Sequence, residues 1–209
     1  MANFTTNDIV TGNFRISYPS LFTPRYRVAH TVAVPNPPKG FQATMIFDAN
    51  DPAVLEIRKL LKAAIVGQWS EDKAKWPATL RAINMKTYAS LTGKDGWPIR
   101  DGSTVSSGPG TVSIKASSTE AYPPMVVDQR KQELLTEDSI RPGMICRAVV
   151  CAWAYDRADS KGVSLTLKVV QLVKDDGVRF GGADNSQAAA MLGTVEDGSD
   201  NPNNYPDDL

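Results

Sequence analysis

The sequence predicts a mainly β protein, arranged as a small antiparallel barrel with one inserted α-helix. Segments in which apolar and polar residues alternate, as they do in half-buried strands, outnumber segments with helical spacing. The strands cluster on either side of one helical segment and do not alternate with helices, which disfavours a doubly wound parallel sheet. The chain has 209 residues, of which 42% are hydrophobic and 22% charged, and this is enough to bury a sizeable core.

Each predicted strand rests on the same two-residue alternation. The strands are expected at residues 13–18, 41–48, 111–117, 125–128, 144–156 and 163–174. We expect Pro19 to end the first strand, because proline donates no hydrogen bond to a ladder. The last two strands are joined by a hairpin-sized loop at residues 157–162.

The helix is predicted over residues 51–68. Asn50 or Asp51 can cap its N-terminus, and Pro52 suits the first helical position. Its apolar residues recur at spacings of three and four. Two further segments are predicted as loops from their glycine, proline and serine content: residues 35–40 and 77–110. A partly closed barrel of this kind, with one inserted helix, fits the five-stranded OB fold.

Charge is distributed unevenly along the chain. The 23 Lys and Arg residues balance the 23 Asp and Glu residues, so the net charge argues against a strongly basic nucleic-acid binder. Residues 193–209, however, hold five acids and no base, which leaves 23 bases against 18 acids and a charge of +5 on residues 1–192. We therefore predict a folded domain at 1–192 and a disordered acidic tail at 193–209.

The sequence gives little support for a catalytic site or a metal site. Cys146 and Cys151 lie five apart on one predicted strand, so they face opposite sides and cannot form a disulfide, which fits a reducing compartment. His30 is the only histidine, which excludes sites built on several histidines, and it is expected to be a structural or surface residue. The sequence shows neither a nucleophile elbow nor a Walker loop, and we expect neither a signal peptide nor a transmembrane helix. We predict no catalytic residue, metal or cofactor, and no membrane partner.

The predicted strand at 144–156 has two distinct faces. One face is apolar with small residues and suits the inside of a tight barrel. The other carries a cation and two aromatic residues, and neighbouring segments add further cations and a tryptophan. The candidate binding residues on this surface are Arg147, Trp153, Tyr155, Lys115, Lys168, Trp97 and Arg100. Interleaved rings and cations suit single-stranded nucleic acid, because unpaired bases stack on the rings while cations follow the phosphates.

Several motifs resemble bacteriophage single-stranded DNA-binding proteins with an OB fold. In chain order they are Tyr18-Pro19-Ser20-Leu21-Phe22, Phe47-Asp48, Arg141-Pro142-Gly143, Ala152-Trp153-Ala154-Tyr155-Asp156, Gly162-Val163-Ser164-Leu165, residues 170–177 and Phe180-Gly181-Gly182. The resemblance spans residues 13–182 together with the acidic tail. It implies a sequence-independent protein that coats single-stranded DNA in phage replication and recombination, in the cytoplasm of the infected bacterial host.

The resemblance also implies that the acidic tail recruits replication proteins such as a polymerase or a helicase. The tail residues in question are Glu196, Asp197, Asp200, Asp207, Asp208 and Leu209. Tails of this kind often end on an aromatic residue, whereas this chain ends on a leucine. Being anionic, the tail is also expected to compete with DNA for the cationic surface.

Two alternatives remain at this point. The chain could be a structural β-barrel module of a phage particle, in which case Trp153 and Tyr155 should be buried. It could also be a metal-dependent nuclease using aspartates at strand ends: Asp48, Asp51, Asp101, Asp128 and Asp156. The oligomeric state, a homodimer included, and the choice between DNA and RNA stay open.

Overall fold

The computed structural model describes residues 3–27, 36–83, 96–158 and 160–180. His30, Pro35, residues 84–95 and the acidic segment 193–209 lie outside the described residues. The strands are β1 (Phe4–Thr5), β2 (Ile9–Val10), β3 (Phe14–Tyr26), β4 (Lys39–Asp48), β5 (Ile99–Asp101), β6 (Thr111–Thr119), β7 (Met125–Val127), β8 (Ile145–Asp156) and β9 (Lys161–Lys174). The helices are α1 (Pro52–Trp69), α2 (Ala78–Arg81) and the 3-10 turns Lys73–Lys75, Gly102–Thr104 and Glu137–Ser139.

Five long strands close into a barrel. Going round, β3 pairs with β4, β4 with β6, β6 with β9, β9 with β8, and β8 with β3 again. Numbered along the chain, these strands follow each other in the order first, second, third, fifth, fourth, as in an OB fold. The predicted mainly β fold with one inserted helix is thereby confirmed.

One pair in the ring differs from the antiparallel prediction. Strands β6 and β9 run parallel, while the other four pairs are antiparallel. Directions can alternate around a closed ring only when the number of strands is even, so a five-stranded ring must contain a parallel pair.

Helix α1 is inserted between the second and third strands of the barrel. Its Asp51 cap accepts a hydrogen bond from the Ala53 amide at 2.8 Å, and Pro52 occupies the first turn, as expected. The apolar face is fully buried at Ile57 and Leu61 and packs against β8, β9 and β1. Burial of that face fixes the helix against the barrel, since most of a helix's stability in a protein comes from the packing of its apolar face.

Strand β3 does not end at Pro19, which corrects the sequence prediction. It continues to Tyr26, and its register against β4 shifts between Ser17 and Ser20. Such a bulge takes a residue out of the ladder, so proline's missing amide hydrogen costs no hydrogen bond there. Tyr18, just before the proline, has a φ of 46°.

The inward face of β8 lines the barrel interior as predicted. Cys146 and Ala152 have no exposed surface, and Ala148 and Val150 are buried between them. These small side chains let the strands close tightly around the core. Both cysteines are free and buried, in agreement with the prediction that they form no disulfide.

We expect both thiols to be unreactive in the native protein. Burial raises the pKa of Cys146 to about 12 and also raises that of Cys151, so at pH 8 neither forms the reactive thiolate. Titration with Ellman's reagent should detect no thiol in the folded protein and both after unfolding in denaturant. Rapid native reaction of Cys146 would contradict this packing.

Arginine–aspartate pairs fix the chain as it leaves β9. Arg15 donates hydrogen bonds from its two terminal nitrogens to Asp176, at 3.0 and 2.8 Å. Asp175 accepts from Arg179 at 2.8 Å and from Arg141 at 2.9 Å. The hydrogen bonds from Arg15 lower the pKa of Asp176 to about 2, and those from Arg179 lower the pKa of Asp175.

We expect these ion pairs to make a pH-dependent contribution to the free energy of unfolding. A carboxylate with a lowered pKa stabilises the fold fully above the unfolded-state pKa of about 3.9. That contribution is lost as the pH falls through the folded pKa, which is about 2 for Asp176. Asp176→Asn should therefore lower the Tm at pH 7, and its difference from wild type should shrink between pH 4 and pH 2. A difference independent of pH in thermal unfolding followed by circular dichroism would contradict the pairing.

Candidate nucleic-acid interface

Most of the predicted binding residues meet in one cavity on the outside of the barrel, here called the central cavity. It encloses about 370 Å³ beside the outer faces of β4 and β6, the β8–β9 hairpin and the segment before β5. Five of the seven sequence-predicted residues line it: Trp97, Arg100, Lys115, Trp153 and Tyr155. The other lining residues are Arg27, Gln42, Gly96, Pro98, Ser117, Arg157, Ser160, Val163 and Ser164.

The aromatic part of the cavity is a pair of rings on β8. Trp153 and Tyr155 are two residues apart and therefore share the outer face of the strand. Their ring centroids are 5.1 Å apart, with planes inclined by 41°. The guanidinium of Arg157 lies 5.7 Å from the Trp153 ring centre and 5.5 Å from that of Tyr155, so cation–π attraction connects all three side chains. Both rings are partly exposed rather than buried.

The cationic part of the cavity holds positive charges close together. Desolvation and then the nearby charge of Arg157 lower the pKa of Arg27, while desolvation and then Arg27 and Arg100 lower the pKa of Lys115. Among the described residues, no carboxylate lies within ion-pair distance of Arg27, Lys115 or Arg157, and none lines the cavity. A cavity with repelling cations and no described counter-charge attracts an anion.

Two glycines form the wall beside the rings. The Gly96 carbonyl accepts a hydrogen bond from the Val163 amide at 2.8 Å. A Cβ at Gly96 would lie only 2.7 Å from the Gly162 Cα, and the φ of Gly96 is 69°, so the two backbones can approach only as glycines. This contact positions Trp97, which is 8% exposed and forms part of the wall rather than an open platform.

Arg147 lies away from the central cavity. Its Nε donates to Gln171 Oε1 at 2.7 Å, and its side chain lines a separate, mostly apolar cavity with Val10 and Met125. Arg147 and Trp153 share the outer face of β8, but six residues of strand separate them by about 20 Å. The alternation of β8 predicted that both side chains are on its outer face, but it did not give the distance between them along the strand.

Lys168 lies next to the central cavity rather than in it. It lines a neighbouring cavity that also contains Arg27 and Trp153, and its Nζ pairs with Asp8 Oδ1 at 2.7 Å. The β8–β9 register shifts at this point, since Val149 is opposite Val169 while Val150 is opposite Leu167, and Lys168 is the extra residue.

Among the lining residues that sequence reasoning missed are two arginines and a glutamine. Arg27 follows β3, which was predicted to end at Pro19, so its approach to β6 was not foreseen; it donates to Ser117 Oγ at 2.8 Å. Arg157 was assigned only to the hairpin loop. It follows Tyr155 by two residues, so continuing the alternation of the strand would have placed it on the same face as Tyr155. Nothing in the sequence marked Gln42 as a candidate binding residue.

Two further observations bear on alternative chemistry. Within residues 3–27, 36–83, 96–158 and 160–180, no three His, Cys, Asp or Glu side chains are grouped as a metal site would need. The described helices include none long and apolar enough to cross a membrane. The tail residues Glu196, Asp197, Asp200, Asp207, Asp208 and Leu209 lie outside the described part of the chain.

The fold and the cavity together define an OB-fold protein with a cationic, aromatic groove. The family represented by the ssDNA-binding protein of Enterobacter phage Enc34 matches residues 7–200. That match spans most of the chain, and the chain belongs to this family. Comparison with curated proteins gives no match.

Solved structures share the fold at low sequence identity. The single-stranded DNA-binding protein from bacteriophage Enc34 is 20% identical with a TM-score of 0.59, over 87% of this chain and 89% of that one. The same protein in complex with ssDNA is 19% identical with a TM-score of 0.60, over 83% and 89%. The gp2.5 single-stranded DNA binding protein of bacteriophage T7 is 16% identical with a TM-score of 0.56, over 95% and 98%.

Proposed function

We propose that residues 1–192 form a domain that binds single-stranded DNA without regard to sequence, in phage DNA replication and recombination. The observation that carries the proposal is the central cavity, where the paired rings of Trp153 and Tyr155 adjoin cations with no described carboxylate. Membership in the phage Enc34 family supports it, as does the solved complex of the Enc34 protein with ssDNA.

The chemistry follows from the two parts of the cavity. An unpaired base has an exposed π-face that can stack on Trp153 or Tyr155, and each such contact contributes about 1–3 kcal/mol. Arg27, Arg100 and Lys115 then neutralise the phosphates and release their counterions. Neither interaction depends on which base is present, so binding should be largely independent of sequence.

Discrimination between single and double strands tests this proposal. In gel-shift titrations, oligo-dT, oligo-dC and a mixed sequence of equal length should bind similarly, while a duplex of that length should bind more weakly because its bases are already stacked. A protein that prefers the duplex does not act by base stacking. Strong preference for one single strand would contradict sequence independence.

The anionic tail is proposed to compete with DNA for the same cations and to recruit replication proteins when it is displaced. Residues 193–209 carry five acids and no base, against 23 bases and 18 acids in residues 1–192. A chain ending at residue 192 should therefore bind oligo-dT more tightly than the full chain at low salt, with a smaller difference at high salt. Equal affinities at low salt would rule out the competition.

We further propose that the protein is not an enzyme and acts in the cytoplasm of the infected host. Incubation of labelled single-stranded DNA with the protein and Mg²⁺ or Mn²⁺ should leave the DNA uncut, whereas cleavage would revive the nuclease alternative. The phage-particle alternative requires buried Trp153 and Tyr155, and both are partly exposed. No observation favours it.

A further inference from the structure

A second cavity, here called the Tyr18 cavity, adjoins the central cavity. It encloses about 400 Å³ between the bulge of β3, the outer face of β4 and the turn after β5. It shares Pro98, Arg100 and Lys115 with the central cavity, so the two meet at a pair of cations. No carboxylate of the described residues lines it, while Ser106 and Ser107 add polar groups on its far side.

Tyr18 is presented to this cavity by an unusual backbone conformation. Its φ of 46° is in the left-handed region, which large side chains rarely adopt, and it sits where the register of β3 against β4 shifts. Bulges of this kind redirect a side chain out of the regular alternation. The result is that the Tyr18 side chain is 67% exposed, while Ser17 and Ser20 on either side of the bulge are buried.

The strand register fixes the separation of these groups. Ser17 is opposite Thr44 on β4, and Thr44 is opposite Lys115 on β6. Two strand spacings therefore separate the backbone beside Tyr18 from that of Lys115, about 10 Å in total. A side chain of tyrosine and one of lysine can both reach into the space between.

We infer that Tyr18 is a second stacking platform, which takes the base next to the one held by Trp153 and Tyr155. The phosphate that links the two nucleotides would lie against Arg100 and Lys115, the groups common to both cavities. This inference rests on the proposed function and adds the direction in which the DNA strand leaves the central cavity, toward the β3 bulge.

Two variants separate the ring from the backbone. Tyr18→Gly removes the ring but suits the positive φ, so the bulge is kept, whereas Tyr18→Phe keeps a stacking face. Tyr26→Ala is the matched control, because Tyr26 is also an exposed tyrosine of β3, at 55%, and lines neither cavity. Each variant is titrated with oligo-dT of about 16 nucleotides, the upper site size of an OB fold, across a range of salt concentrations.

We expect Tyr18→Gly to weaken binding by about 5- to 150-fold, the loss of one stacked base, with an unchanged slope of log K against log salt. Tyr18→Phe and Tyr26→Ala should bind like wild type. If wild type binds and Tyr18→Gly binds equally well, the Tyr18 platform is wrong and the proposed function stands. If wild type does not bind the oligonucleotide at all, the proposed function itself fails. A changed salt slope in Tyr18→Gly would overturn stacking as its role.

Discussion

Replacing Trp153 with alanine should weaken the binding of oligo-dT by about 5- to 150-fold, the value of one base stacked on an aromatic ring. The effect should be near the upper end, because Trp153 lies at the centre of a connected group. Its ring contacts Tyr155 at 5.1 Å between centroids and attracts Arg157. Removing the indole ring therefore also removes contacts that hold the side chains of Tyr155 and Arg157 in place.

Fluorescence anisotropy of a labelled oligonucleotide measures this loss. Trp153→Phe serves as the control, since it keeps a flat apolar face and should retain most of the affinity. Because Trp153 is partly exposed on the barrel surface, both variants should unfold close to the wild-type Tm. Unchanged affinity in Trp153→Ala, with a normal Tm, would show that bases do not stack in the central cavity.

Replacing Arg27 and Lys115 together with glutamine should reduce the salt dependence of binding. Each phosphate neutralised on a single strand contributes about 0.7 to the slope of log K against log salt, so the double variant should lose about 1.4. Arg27 and Lys115 are suited to phosphate because no described carboxylate neutralises them. Affinity at low salt should fall in parallel, and the difference from wild type should narrow as salt rises.

The control must remove the same charge elsewhere. Lys59 and Lys62 lie on the exposed face of α1, and the double replacement Lys59→Gln with Lys62→Gln changes the net charge equally. Its slope should match wild type. If the slope fell by the same amount in both double variants, overall charge and not the central cavity would govern the attraction. The Tm of the Arg27 variant is checked as well, because Arg27 also hydrogen-bonds Ser117.

Much of the fold follows from local patterns. Helix α1 was predicted to within a residue because Asp51 and Pro52 mark its start and its apolar spacing is regular. Strands β4, β6, β8 and β9 were predicted because one face of each is buried, which keeps apolar and polar residues alternating over most of their length. Barrel closure and the parallel β6–β9 pair depend on long-range pairing, which no local pattern contains.

The candidate site was predictable where it lies on one regular strand. Trp153 and Tyr155 share a face of β8 by alternation, and Lys115 was recognised on the polar face of β6 in the same way. Arg27 was not predictable, because the bulge at Tyr18 and Pro19 allows β3 to continue where a regular strand would stop. Arg147 and Lys168 are exposed as predicted but lie outside the central cavity, because alternation gives no distance along a strand and does not reveal a bulge.

The central claim is that bases stack on tryptophan in a cavity that cations make attractive to phosphate. Titration of the unlabelled protein with oligo-dT, followed by intrinsic tryptophan fluorescence at low and at high salt, tests it most directly. Trp97 and Trp153 line the cavity, so binding should quench the emission at low salt, and added salt should reverse the quenching. Emission that oligo-dT leaves unchanged at low salt, in a protein shown to be folded by circular dichroism, would contradict the account.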